Sequence, residues 1–195
     1  MDTCYYCKKS TVKYFLSILI CLTFASCITY RNIPVQDGKL LGVLPMRDGR
    51  VYYDFGNTIP KTSALDVYRQ SRRWVAFHIA DPKQALSLGD SQTLDVIGSG
   101  SISAIKMDKS SIYTFGPVEY AVTIEARPNG YRMALGNFTL IRPIPSITKG
   151  ISLESPTPLP LKQLRTLFEE LDRRINDLVV SFDSFVTDQT KPTTP

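Results

Sequence analysis

An alternation of apolar and polar side chains between Tyr120 and Leu135 constrains the fold more than any other part of the sequence. Apolar residues occupy every second position from Tyr120 to Ala126, and the alternation resumes at Tyr131 after an Asn-Gly pair. A period of two is that of a β-strand with one buried face. Because Asn-Gly tolerates the positive φ angles of a tight turn, the pattern predicts a β-hairpin that turns at Asn129–Gly130.

The same period appears elsewhere in the chain. Val51, Tyr53 and Phe55 alternate with polar or amphipathic neighbours, which predicts a strand with one face on the core. From residue 87 to about residue 141 the pattern stays strand-like. We therefore expect one strand early in the chain and three or four antiparallel strands after residue 87.

A helix is predicted between these strand regions. Pro60 followed by Thr62 or Ser63 indicates the helix start, and Asp66, three residues after Ser63, makes a weak capping box. Asp81–Pro82 indicates the end of the helix. Polar residues recur at helical spacing along one side. The opposite, apolar side is predicted to consist of Leu65, Tyr68, Val75 and Ile79, widened by Trp74 and Phe77.

A second, longer helix is predicted over residues 161–186, where apolar residues recur at alternating steps of three and four. This stripe fits two structures: a coiled-coil seam that joins two chains, or the underside of a helix that covers its own sheet. Leu167, Val179 and Val180 widen the stripe, which favours the second. Five prolines in residues 143–160 predict a semi-rigid linker before the helix, and residues 187–195 are expected to be disordered.

The order strand, helix, three or four strands, helix predicts an α+β domain over residues 44–142. Its helices would lie on one face of an antiparallel sheet, and the helix of residues 161–186 would complete it.

The N-terminus has the organisation of a secretory signal peptide. Lys8, Lys9 and Lys13 precede an apolar run over residues 14–24, and the small residues Ala25 and Ser26 follow. The run has 11 residues, whereas a spanning helix needs ~20. The prediction is a signal peptide of residues 1–26, cleaved between Ser26 and the next residue. The alternative is an uncleaved anchor helix that continues through residue 30.

The distribution of cysteines indicates the fate of Cys27. The chain has four cysteines, and the other three lie in the predicted signal peptide. Cleavage after Ser26 leaves Cys27 as the first residue and the only thiol, so an intramolecular disulfide is excluded. An unmodified lone thiol in an oxidising compartment is prone to unwanted oxidation, and attachment of a lipid to the sulfur atom avoids this.

The stretch Phe-Ala-Ser-Cys resembles the lipobox of bacterial lipoproteins, with Phe24 where leucine is usual. The resemblance implies thioether diacylation at Cys27 and an N-terminal acyl chain, and more than one chain is what stable anchoring requires. Ile28 follows the cysteine, a pattern similar to that of lipoproteins sent to the outer membrane. We expect a protein of the cell envelope, anchored to the outer membrane and facing the periplasm, with residues 27–43 as a tether.

Several functions are excluded or disfavoured by the sequence. Without residues 1–26 the chain has 20 basic and 17 acidic residues, interspersed, which does not indicate nucleic-acid binding. One histidine, His78, and one remaining cysteine exclude histidine-rich and thiolate metal sites, and no cofactor is expected. Gly98 to Ser101 lacks the third glycine and the following helix of a phosphate-binding loop. We therefore interpret it as small residues in a strand, at a bulge or at a close contact between a helix and the sheet.

The stretch from about Leu44 to Leu140 resembles a family of domains of unknown function in envelope proteins of Bacteroidota, described as having a TATA-binding-protein-like fold. The resemblance lies in four segments: LPMRDGRVYYDF, SALDVYRQSRRWVAFHI, VIGSGSISA and YAVTIEARPNGYRMAL. It implies a curved antiparallel sheet that cradles helices, often in secreted or lipid-anchored proteins. It implies no reaction, and the fold label does not carry DNA binding with it.

These observations lead to three hypotheses. The first is a non-enzymatic, lipid-anchored module that binds an envelope protein, a peptide or a glycan. The second is a structural envelope component that self-associates through the C-terminal helix. The third is a hydrolase that uses carboxylates such as Asp54 and Glu125, which the sequence alone does not bring together.

Overall fold

The computed structural model describes residues 30–79, 92–103, 105–106, 114–144 and 147–190. Within these ranges the helices are α1 (Ala64–His78) and α2 (Leu161–Thr190). The strands are, in chain order, β1 (Val35–Gln36), β2 (Lys39–Leu40), β3 (Leu44–Arg47), β4 (Arg50–Val51), β5 (Tyr53–Thr58), β6 (Asp95–Ile102), β7 (Ile105–Lys106), β8 (Thr114–Phe115), β9 (Val118–Arg127), β10 (Gly130–Ile144) and β11 (Ile147–Ser152).

The main sheet is antiparallel and is built around β10. On one side β10 pairs with β9, which in turn pairs with β6. On its other side β10 pairs first with β5, over Gly130–Leu135, and then with β11, over Thr139–Ile144. Strands β1 to β4 form a separate meander of short hairpins. The architecture is the predicted α+β arrangement of an antiparallel sheet with two helices.

The hairpin between β9 and β10 is present, but its turn is displaced by one residue from the prediction. Gly130 pairs with Arg127, so the two turn residues are Pro128 and Asn129. Among them Asn129 has a positive φ of 60°, whereas Gly130 is already part of the strand. A proline followed by a residue with positive φ meets the requirement of a type II turn. Pro128 and Asn129 therefore form the turn in place of the predicted Asn129 and Gly130.

Helix α1 begins as predicted and ends earlier. Ser63 is the N-cap, and its hydroxyl accepts a hydrogen bond from the backbone N–H of Asp66 at 3.1 Å. The helix ends at His78 rather than near residue 81. Its apolar face was predicted wrongly at two positions, because Leu65 is 44% and Phe77 78% exposed. Both lie six residues from Ser71, the centre of the buried stripe, and therefore about 120° away around the helix. The buried residues are Val67, Tyr68, Ser71, Trp74 and Val75.

Helix α2 packs on its own chain. Its buried residues join the single hydrophobic core that the sheet and α1 also form. Tyr53 donates to Asp172 at 2.6 Å and Tyr131 donates to Asp183 at 2.7 Å, so two hydrogen bonds fasten the helix to β5 and β10. The interpretation of the stripe as the underside of a covering helix is confirmed. The buried residues are Leu164, Leu167, Phe168, Leu171, Ile175, Phe182 and Val186.

Three predicted boundaries differ from the structure. The helix extends to Thr190, so residues 187–190 are not part of a disordered tail, and residues 191–195 lie outside the described residues. The predicted linker contains β11, which pairs with β10 along its whole length. Residues 147–152 hold none of the five prolines of that segment, so their N–H groups remain free to donate to a neighbouring strand.

The predicted tether is also mostly folded. Within residues 31–43 the chain forms the hairpin β1–β2, and Ile33, Leu40 and Leu41 are buried in the core. Asp37 and Gly38, with φ angles of 51° and 70°, make its turn. The segment folds in spite of its loop-like composition, because burying these apolar side chains in the core is favourable.

Candidate functional site

The two faces of the main sheet differ, because both helices lie on one of them. Alternation along β10 sends Tyr131, Met133 and Leu135 to the helix side, where they are buried. Arg132 and Ala134 consequently point to the other side, which we call the open face. An open cavity of about 570 Å³ lies there. The strands β9 and β10 provide its floor, and the β3–β4 hairpin and Asn137 contribute further walls.

The β3–β4 hairpin places two arginines at the cavity. Arg47 and Arg50 pair directly across the strands, and Asp48 and Gly49 make the turn with φ angles of 51° and 76°. Both arginines line the cavity, as does Tyr52, whose ring centroid lies 5.3 Å from the guanidinium carbon of Arg47. The hairpin therefore places two guanidinium groups at the edge of the cavity, and that of Arg47 lies 3.8 Å from the carboxylate of Asp48 and 3.9 Å from that of Asp54.

A β-bulge positions Asn137. Gly136 pairs with Ala121 but Thr139 pairs with Glu119, so two residues of β10 lie opposite one residue of β9. Asn137 adopts a φ of 54° at this bulge, and its Oδ1 accepts a hydrogen bond from Arg50 at 3.3 Å. The bulge turns the Asn137 side chain to the cavity and returns the next residue to the core.

Charged side chains on the open face form a network centred on Arg132. Its guanidinium donates to both oxygens of Asp54, at 2.8 and 2.7 Å, and to Glu125 at 3.2 Å. Glu125 also pairs with Arg127 at 2.7 Å. The hydrogen bonds from Arg132, reinforced by its charge and that of Arg47, lower the pKa of Asp54, while its partial burial opposes them. The paired carboxylate raises the pKa of Arg132 in return.

The structure brings Asp54 and Glu125 to the same guanidinium, which the sequence did not show. The surroundings of Asp54 do not suit a general acid. A general acid must hold a proton near the working pH, whereas the lowered pKa keeps Asp54 ionised at neutral pH. The network is therefore suited to joining β5, β9 and β10 and to fixing Arg132 at the cavity.

His78 and Gly100, which were also considered from the sequence, make packing contacts in the structure. The ring of His78 stacks on Trp74 at 5.0 Å, and its Nδ1 lies 3.1 Å from the Trp74 carbonyl oxygen. The prediction of a bulge or a helix–sheet contact at Gly98–Ser101 is wrong. Gly100 lies in the regular strand β6 against the ring of Tyr120 on the neighbouring strand β9, where a side chain would collide. No group of three potential metal-ligating residues occurs within the ranges that the structure describes.

The predicted cleavage position between Ser26 and Cys27, and the predicted lipid attachment at Cys27, lie outside the described residues. Of the helices in the described ranges, none is long and apolar enough to cross a membrane. Arg47, Arg50 and Tyr52 were not among the residues predicted to be functional from the sequence. The one signal that points to them is the order Arg-Asp-Gly-Arg, in which a tight turn between two arginines brings both to one place.

Comparison with protein-family models matches residues 57–140 to DUF4468, a domain of unknown function with a TBP-like fold. This stretch of the chain is therefore similar to the DUF4468 family. The matched stretch starts near the end of β5 and ends in β10. The matched stretch includes Thr123, Glu125 and Arg132 on the open face, whereas the β3–β4 hairpin with Arg47 and Arg50 precedes it.

Solved structures show the same fold. A DUF4468 family protein from Bacteroides ovatus matches with a TM-score of 0.57 and 17% identity, over 83% of this chain and 100% of that one. A TBP-like protein from Parabacteroides distasonis matches with a TM-score of 0.57 and 12% identity, over 73% and 96% of the two chains. The curated proteins include no match to this chain. The comparisons thus show a TBP-like fold, similar to that of DUF4468 proteins, and the function must be argued from the surfaces of the protein.

Proposed function

We propose that this protein is a lipid-anchored module of the cell envelope that binds a partner on the open face of its sheet and catalyses no reaction. The observation that supports this most is the asymmetry of the sheet. One face is covered by α1 and α2, and the other holds a polar cavity edged by Arg47, Arg50 and Tyr52. Arginine and tyrosine are the residue types that most often dominate recognition surfaces.

The partner class is an envelope protein, a peptide or a glycan that faces the periplasm. Guanidinium groups donate paired hydrogen bonds to carboxylates and other planar acceptors, and the tyrosine ring offers an apolar face beside them. These groups recognise all three partner classes without a nucleophile or a general acid. Lipid attachment at Cys27 would hold this surface at the outer membrane, as the order of the N-terminal segments indicates.

Replacement of the proposed lipid acceptor tests the anchor. We expect Cys27→Ala to abolish incorporation of radiolabelled palmitate and to release the protein from the membrane fraction, because thioether acylation needs the sulfur atom. Cys21→Ala is the matched control, since Cys21 lies in the segment that cleavage removes. It should label like the wild-type protein. Palmitate labelling that persists in the Cys27 variant would rule out this anchor.

Site-specific photo-crosslinking in intact cells tests the binding surface. A photoreactive residue at Thr123, on the cavity floor, should give a discrete crosslinked product. The control position is Arg69, which is exposed on α1 on the covered side of the sheet. Replacing Arg47 and Arg50 by glutamine should weaken the Thr123 product several-fold, because the guanidinium donors are lost. The same products from both positions, or none from Thr123, would contradict binding at the open face.

A further inference from the structure

The fold begins very close to the proposed anchor. The backbone N–H of Arg31 donates to the carbonyl of Thr157, and the N–H of Thr157 donates back, both at 3.0 Å. This isolated bridge ties the first described residues to the segment before α2. Ile33 is buried two residues later. Only residues 28–30 separate Cys27 from this bridge.

The reach of that link is short. A fully extended chain spans at most ~3.6 Å per residue, so Tyr30 lies within about 11 Å of Cys27. A tether through residue 43 would have allowed up to about 58 Å. Each headgroup layer of a bilayer is roughly 5–8 Å thick, so a lipidated Cys27 would bring Tyr30 to the membrane surface.

The surface at this point carries side chains that suit a membrane interface. A groove of about 110 Å³ brings Tyr30 together with Thr157, Leu159 and Leu164 at the start of α2. Tyr30 is 64% and Leu161 36% exposed, and Arg31 and Lys162 are exposed beside them. We call Tyr30, Arg31, Leu161 and Lys162 the anchor-side patch.

Charge on the patch is positive. The first turn of α2 contains no acidic residue, so neither Asp nor Glu offsets Lys162 there. Arg165, one turn further on, is already paired with Glu169 at 3.1 Å and adds little. Basic residues attract anionic lipid headgroups within a Debye length, about 8–10 Å, and tyrosine rings favour the same layer.

We propose that the anchor-side patch rests on the anionic headgroups of the membrane that holds the lipid anchor, so that the domain has a fixed orientation. This inference rests on the proposed function, because it requires the lipid on Cys27. The groove beside the patch is lined by Leu140 and Phe168, which belong to the helix side of the sheet. The membrane contact therefore turns the open face, with its cavity, away from the bilayer and towards the periplasm.

Depth-dependent fluorescence quenching of the lipidated protein tests the orientation. The protein is reconstituted in vesicles of phosphatidylethanolamine and phosphatidylglycerol that contain a lipid-attached quencher. A fluorophore is placed, in separate variants, at Lys162→Cys, at Gln189→Cys and at Ile97→Cys. Gln189 is exposed near the other end of α2, about 40 Å along the helix axis, and Ile97 is 41% exposed on the open face.

We expect several-fold stronger quenching at position 162 than at positions 189 and 97. Inserting about 15 Gly and Ser residues between Thr29 and Tyr30 should reduce the quenching at 162, because the link could then reach up to about 65 Å. Equal quenching at all three positions in vesicle-bound protein would overturn the orientation and leave the anchor intact. A fluorophore at position 162 that neither a water-soluble quencher nor the lipid quencher reaches would overturn the membrane contact, because a protein surface would then cover the patch. If the protein isolated from cells carries no lipid and does not bind the vesicles, both the proposed anchor and the proposed orientation are wrong.

Discussion

A chain that ends at Pro160 is expected not to fold. Helix α2 contributes seven buried apolar side chains to the core, and four of them are fully buried in the section Leu167–Ile175. Burial of one such side chain is worth ~1.5–3 kcal/mol, whereas a whole domain is stable by only about 5–15 kcal/mol. Without α2, Tyr53 and Tyr131 also lose the carboxylates to which they donate. We expect an aggregated or molten chain without a cooperative unfolding transition.

Circular dichroism and light scattering check this result, with a chain that ends at Thr190 as the control. The control keeps the whole helix and should unfold cooperatively like the full-length protein. It should also be monomeric, because the stripe that a coiled coil would use is occupied by the chain's own core. A soluble, monomeric and cooperatively folded chain ending at Pro160 would show that α2 does not complete this domain.

The parts of the fold that could be predicted from sequence are those set by local patterns. The strand of Tyr53, the β9–β10 hairpin, the Ser63 cap and the covering role of α2 each follow from spacing within a few residues. The turn itself was misplaced because two local signals, Pro-Asn and Asn-Gly, overlap at Asn129, and only the pairing of Gly130 with Arg127 decides between them.

The parts that could not be predicted depend on contacts between distant residues. Glu125 and Asp54 meet only because β5 and β9 both pair with β10, where Arg132 lies between them. Residues 147–152 became a strand because β10 continues beyond β5 and leaves an edge for them. The short segment around Ile33 folds because Ile33 is buried against core residues that are distant in the sequence. The open-face cavity is lined by β9, β10 and the β3–β4 hairpin, so it too depends on contacts between residues that are far apart in the sequence.

The two aromatic residues that the sequence assigned to the same face of α1 give a sharp test of the packing. Trp74 has no exposed surface, and its ring meets Phe182 of α2 edge-on at 5.1 Å. We expect Trp74→Ala to lower the free energy of unfolding by ~3–5 kcal/mol, because it leaves a large cavity between the two helices. Phe77→Ala should change it by less than about 0.5 kcal/mol, since Phe77 is 78% exposed.

Urea denaturation followed by circular dichroism measures both values, because Trp74 is the only tryptophan and its loss removes the intrinsic fluorescence signal. The comparison holds the helix, the residue class and the substitution constant, so it isolates burial. Similar losses in the two variants would mean that α1 presents the broad apolar face predicted from the sequence. A large loss at Trp74 alone means that α1 is held by the narrower stripe centred on Ser71, and that contact with α2 fixes how α1 lies on the sheet.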